Sequence, residues 1–292
     1  MTAAPAVADP AGLAALAGFV AGARRLVVIS GAGLSVASGI AAYRDASGSW
    51  QHPPPVLWPD FARDPRVRQR YWGRSLVGWP RFAAAHPNDG HRALADLESA
   101  GHVSAVITQN VDGLHQRAGS RAVIDLHGRL DGVRCLGCGA CLRRADLQVE
   151  LAALNPGWRP TVAAPAPDGD ARLTDADYAR VVVPDCRDCG GVLRPDVVFF
   201  GEALVAATAA AASAAAADAD ALLVVGSSLT VYSGFRLVRD AAARVVPVAS
   251  LGLGRTRADA LMSLQVVADA TGALPALAGA LAVGRGASGG AA

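Results

Sequence analysis

Residues 24–30 (RRLVVIS) pass from two arginines into a compact, largely β-branched apolar run. A run that short, with no polar position to face water, predicts a strand covered on both sides, as in a parallel sheet. Further strands are predicted at 103–108 (VSAVIT), at 221–225 (ALLVV), again a buried run, and at 244–249 (RVVPVA). Between these lie segments that predict helices: 11–23, 66–77, 90–99 and an alanine-rich stretch at 203–217. Residues 124–126 form a short apolar run leading into His127-Gly128. Residues 155–170 are rich in Pro, Ala and Gly and are expected to be a loop. The last eight or so residues are expected to form a flexible tail. Strands alternating with helices predict an α/β fold, a doubly wound, Rossmann-like parallel sheet.

The 292 residues suffice for one large core with a small insert. Apolar residues make up 52% and charged residues 18%, a globular balance. Alanine inflates the first figure, and the alanine-rich stretch is shorter than the roughly 20 residues a membrane span needs, so no membrane partner is expected. The net charge of +2 has both signs dispersed, so a specific nucleic-acid partner is not expected either. All 27 basic residues are arginine, which excludes regulation by acylation of the chain's own lysines. The N-terminal residues show no basic stretch followed by an apolar one, and the expected location is the cytoplasm.

All five cysteines fall within 135–189. Cys135-x-x-Cys138 and Cys186-x-x-Cys189 form matching knuckles, and four thiolates close a tetrahedral site for one structural zinc ion. Cys141 offers a second CxxC with Cys138, so the first knuckle has two registers; the matched pair favours Cys135. The expected division is a large domain from 10–40, 102–130 and 195–284, a helical insert at 41–101, a zinc module at 131–194 and a tail at 285–292, together one unit.

Gly31-Ala32-Gly33 follows a predicted strand, where glycines suit either a tight turn or the close approach of a pyrophosphate to backbone N–H groups. Gly226-Ser227-Ser228 follows another strand, and two such turns at strand carboxyl ends favour a nucleotide crevice. Gln109, Asn110 and Asp112 end a third strand and place polar side chains at that crevice, with His127 one short apolar run further on.

The ordered set GAGLSVASGI..YR, TQNVDGLH, LHG, the CxxC pair, LRPDVVFFGE and GSSLTVYSG resembles the sirtuins, the Sir2-type NAD-dependent protein deacylases, over residues 25–275. RYWGRSLVGWPRF and GRTRAD resemble the class II branch, in a bacterial member. The resemblance implies cleavage of NAD and transfer of an acyl group from lysine to ADP-ribose. It implies that His127 is the general base on a ribose hydroxyl, a task suited to a group with an ordinary pKa of about 6.5. It further implies that Asn110 holds the ribose or a water, Asp112 the nicotinamide carboxamide and Gln109 the ribose hydroxyls. Gly31, Gly33, Ser35 and Arg44 would surround the diphosphate, opposite Ser227 and Ser228. Ala32, Tyr43, Val111, Gly226, Gly252, Leu253, Gly254 and Ala270 complete the implied NAD contacts. Val198, Phe199, Phe200, Gly201 and Glu202 would pair with an acylated-lysine protein or peptide as an added strand. The expected state is a monomer.

Tyr71 and Arg74 lie one helical turn apart, a pair that in a related branch reads acidic acyl groups through a bidentate arginine. A preference for longer or carboxylated acyl chains is the expectation here. The family's Pro-Asp after GI is replaced by Ala41-Ala42, and an asparagine at the adenosine ribose by Gly252. Both changes point to weaker NAD binding or slower turnover. Two further readings stand beside the deacylase: a mono-ADP-ribosyltransferase, and a weakly catalytic NAD- or acyl-peptide-binding sensor.

Overall fold

The computed structural model describes residues 9–43, 49, 51, 55–174 and 176–288. Helix α1 (Pro10–Gly22), capped by the Asp9 carboxylate, leads into β1 (Leu26–Ser30), every residue of which is buried. A short helix, α2 (Ala32–Ser35), follows at once. Three helices then form an excursion from the sheet: α3 (Trp58–Arg63), α4 (Pro65–Ala83) and α5 (Asp89–Ser99). The chain returns as β2 (Val103–Thr108), α6 (Leu114–Ala118) and β3 (Val123–Asp125).

A second excursion carries β4 (Gly128–Cys135), β5 (Cys141–Arg143), α7 (Arg144–Leu154), β6 (Thr161–Pro165), β7 (Ala171–Thr174) and β8 (Leu193–Val197). Strands β5, β4 and β8 make a small antiparallel sheet, and β6 and β7 make a hairpin. The hairpin corrects the loop expected at 155–170. Its turn passes through left-handed Asp168 (φ 54°) and Gly169 (φ 66°) and closes with Ala166 N–H on the Asp170 carbonyl at 3.1 Å. Backbone pairing forms it without the apolar–polar alternation that would announce a strand.

The chain then completes the main sheet with α8 (Ala206–Asp218), β9 (Ala221–Val225), α9 (Tyr232–Ala243), β10 (Val248–Gly252), β11 (Leu264–Val267) and α10 (Ala270–Ser288). Strand β10 starts four residues later than expected. Arg244 to Val246 are used in ending α9, with Val245 left-handed and the amide of Val246 returned to the Ala241 carbonyl. The tail expected from 285 is also corrected, because α10 continues to Ser288.

The six main strands are all parallel, in the order β11-β10-β9-β1-β2-β3. Alternate residues of β1 feed the two cores: Leu26 and Val28 face α1, α5 and α10, while Val27 and Ile29 face α8 and α9. Each such fully buried aliphatic side chain contributes about 1.5–3 kcal/mol. The chain winds outward from β1 in both directions, so the strand order reverses between β1 and β9. In open α/β sheets the crevice at such a reversal, outside the strand carboxyl ends, is where ligands bind. Among the described residues no helix is long and apolar enough to cross a membrane.

Candidate active site

Two glycine turns meet at the reversal. Gly31 N–H donates to the Val225 carbonyl at 3.0 Å, and Gly33 N–H to the Gly226 carbonyl at 2.8 Å. A Cβ on Gly33 would lie 2.8 Å from that carbonyl oxygen, so the two turns touch backbone to backbone only because glycine stands there. Above them opens a cavity of about 1670 Å³. Every position singled out in the sequence for NAD, catalysis or substrate lines it, except Arg44, which lies outside the described residues. Ala41 and Ala42 line it as well.

The polar groups at the end of β2 are held by one another. Asn110 Nδ2 donates to the Gly31 carbonyl (3.1 Å) and to Ser35 Oγ (3.0 Å). Ser35 in turn donates to Asp112 Oδ2 at 2.7 Å, and Leu114 N–H caps the other carboxylate oxygen at 2.9 Å. Burial raises the Asp112 pKa, opposed by these two donors. Gln109 Nε2 donates to Ser227 Oγ at 2.7 Å, linking β2 across β1 to the turn after β9. His127 is placed at both ring nitrogens. Its Nδ1 lies 2.9 Å from the Gln109 carbonyl and its Nε2 lies 2.8 Å from Ser233 Oγ. Burial lowers its pKa, so the ring is neutral at pH 7. A carbonyl only accepts, so Nδ1 carries the proton and Nε2 presents its lone pair.

A model of the Sir2 family matches residues 31–233, from the first glycine turn to Ser233. A protein of Xanthomonas axonopodis pv. citri (strain 306), named NAD-dependent protein deacetylase, is 55% identical over 248 residues, 85% of each chain. The chain belongs to the Sir2 family. The fold agrees. A structure described as the basis for the mechanism and regulation of Sir2 enzymes superposes with a TM-score of 0.74 at 32% identity, covering 94% of this chain and 99% of that one. A Sir2 homologue carrying a histidine-to-asparagine substitution, in complex with ADP-ribose, reaches 0.74 at 28% identity, covering 93% and 97%.

In this Sir2 chain the sulfurs of Cys135, Cys138, Cys186 and Cys189 lie within 4.8 Å of one another, with Cys135–Cys189 at 3.5 Å and Cys138–Cys186 at 3.7 Å. Tetrahedral zinc with bonds of about 2.3 Å places sulfurs about 3.8 Å apart, so the four fit it. Gly137 N–H points at Cys135 Sγ from 3.2 Å, as a thiolate ligand requires. Cys141 is exposed, outside the cluster, and gives its thiol proton to the Gly139 carbonyl at 3.5 Å. That selects between the two registers.

Residues 198–202, the segment expected to pair with a peptide, line another side of the Sir2 cavity. The chain leaves β8 at Val197, and 198–202 is not a strand. Val198 N–H is spent on the His127 carbonyl, while Phe200 forms a single bridge to Leu57. Glu202 is held by Arg194 in a two-bonded ion pair and accepts Phe199 N–H at 2.9 Å. Tyr71 packs edge-on to Phe61 and Trp72 and lies 5.5 Å from the Phe199 ring. Arg74 is ion-paired to Asp170, and the Tyr43 hydroxyl donates to Asp168. Sequence reasoning did not single out Ser233, Asp168 or Asp170. Ser233 sits inside the quoted GSSLTVYSG, where a hydroxyl at the start of α9 was available as a signal. The two aspartates sit in a stretch that reads as linker and carried none.

Proposed function

We propose that this chain is an NAD-dependent protein-lysine deacylase, transferring the acyl group to ADP-ribose with release of nicotinamide. The observation that carries the reading is the state of His127. Its Nδ1–H is fixed on the Gln109 carbonyl, so the basic Nε2 is turned to the cavity above two glycine turns. A neutral, oriented imidazole is what abstraction of a ribose hydroxyl proton requires. Asn110, held by Gly31 and Ser35, orients the ribose or a water, and Asp112 accepts from the nicotinamide carboxamide. The Gly31–Ser35 and Gly226–Ser228 turns flank the diphosphate, their glycines leaving room for its close approach and Ser227 and Ser228 offering hydroxyls. Val198 to Glu202 wall the side on which the acylated peptide lies. The four cysteines hold one structural zinc, and the chain works as one catalytic unit, as a monomer in the cytoplasm, where thiolates stay reduced.

The test is incubation with NAD and a panel of acyl-lysine peptides, measuring nicotinamide, O-acyl-ADP-ribose and label bound to protein. Nicotinamide and O-acyl-ADP-ribose are expected in equal amounts, and His127→Ala abolishes both. Label accumulating on protein without O-acyl-ADP-ribose would instead mark an ADP-ribosyltransferase.

A further inference from the structure

Arg74 is the cation that a carboxylated acyl group would seek on the Tyr71 wall, yet its bonds are already made. Its Nη2 is ion-paired to Asp170 and its Nε donates to the Ala171 carbonyl at 3.3 Å, with only 19% of the side chain exposed. Both partners belong to the β6–β7 hairpin, and the docking that brings them there is tight. A Cβ on Gly78, one turn further along α4, would lie 2.4 Å from the Asp170 carbonyl carbon. Helix and hairpin therefore meet backbone to backbone, which holds Asp170 and the Ala171 carbonyl within reach of Arg74. Asp168 adds a second carboxylate to the same lining, tied to the Tyr43 hydroxyl. Burial pushes its pKa up to about 6. Among the described residues, the other guanidiniums on the lining, Arg236 and Arg255, lie on α9 and after β10.

We propose that Asp170, with Asp168 beside it, is a specificity-determining residue that withholds Arg74 from acyl carboxylates and restricts this wall to uncharged acyl groups. The proposal rests on the deacylase reading above. A carboxylated acyl chain would have to draw Arg74 off Asp170, leaving a half-buried carboxylate unpartnered next to another. An uncharged chain makes no such demand and lies against the Tyr71 and Phe199 rings. The expectation raised by the Tyr-x-x-Arg spacing is thereby reversed.

Butyryl- and succinyl-lysine peptides have acyl chains of equal length and differ in the terminal carboxylate, so their ratio of kcat/KM reads the effect directly. The wild type is expected to favour butyryl by about tenfold or more, the scale of one unfavourable charge contact. Asp170→Asn frees Arg74 and is expected to close that gap by about tenfold, and Arg74→Gln added to it removes the gain. Anisotropy of labelled peptides on the wild type and on Asp170→Asn supplies the corresponding ratio of affinities without turnover. Equal handling of the two peptides by the wild type, or an unchanged ratio in a folded Asp170→Asn, would overturn the proposal. Failure to release nicotinamide with every peptide would sink the deacylase reading instead, while the anisotropy ratio still decides the role of Asp170.

Discussion

The Ser233 hydroxyl lies 2.8 Å from Nε2 of His127, 106 positions earlier in the chain, and donates to the lone pair that the Gln109 carbonyl has forced onto that nitrogen. The resting imidazole is thus neutral, oriented by one bond and capped by another. A donor on Nε2 stabilises the neutral ring, adding to the lowering of its pKa by burial. Activity that needs neutral His127 is therefore retained below the ordinary histidine pKa and is lost as pH falls through the lowered value. Ser233→Ala removes a hydrogen bond worth about 0.5–1.5 kcal/mol and should move that acid limb upward by roughly half to one pH unit. The pH profile of kcat/KM checks it, and an unmoved limb would show that Ser233 does not bear on the base.

The expectation that Gly252 weakens contact with the adenosine ribose can be tested, since Gly252 lines the cavity at the end of β10. The space for a side chain is present: a Cβ there would meet nothing closer than Gly226 N at 3.6 Å, an ordinary contact. Gly252→Asn should fold normally and lower the KM for NAD by about fivefold, the scale of one net hydrogen bond. Isothermal titration with NAD distinguishes tighter binding from a change in turnover alone.

The zinc knuckles share their core with Tyr71, which lines the cavity. Cys135 and Cys186 pack with Trp72, Leu147 and Leu151, and Arg144 lies over the Trp72 and Trp79 rings at 5.5 and 4.7 Å. Stripping the metal should therefore shift the tryptophan emission, lower the melting temperature and abolish deacylation together. Metal analysis should return one zinc per chain. Cys141→Ser should change none of these readings, because Cys141 lies outside the cluster.

His91 and His115 face each other beneath the site, ring centroids 5.0 Å apart, and burial depresses their pKa values to about 4 and about 3. The unfolded chain binds these protons near pH 6.5, so their stability contribution is full above that pH and declines as pH falls toward the folded values. Asp112, Asp125, Asp168 and Asp170, raised by burial, act in the opposite sense. The histidine part is isolated as a difference: His91→Phe should lose less melting temperature than the wild type between pH 7 and pH 4.5. Equal losses would show that the pair does not drive acid sensitivity.

What the sequence alone determined was local. The apolar runs of β1 and β9 admit no exposed face, so a parallel sheet covered on both sides follows from them. Glycines after both runs mark the crevice, and two CxxC spacings place four sulfurs within reach of one metal. Each of these signals is complete within a few residues. The tertiary structure decided which polar groups meet. Ser233 reaches His127 because α9 starts above β9, and Asp170 takes Arg74 because a hairpin without alternation docks on α4 at Gly78. Side-chain periodicity encodes which face an element buries, but not the partner a polar atom finds across the interior. The histidine could therefore be named in advance, whereas its cap and the neutralised arginine became visible only once the chain had closed on itself.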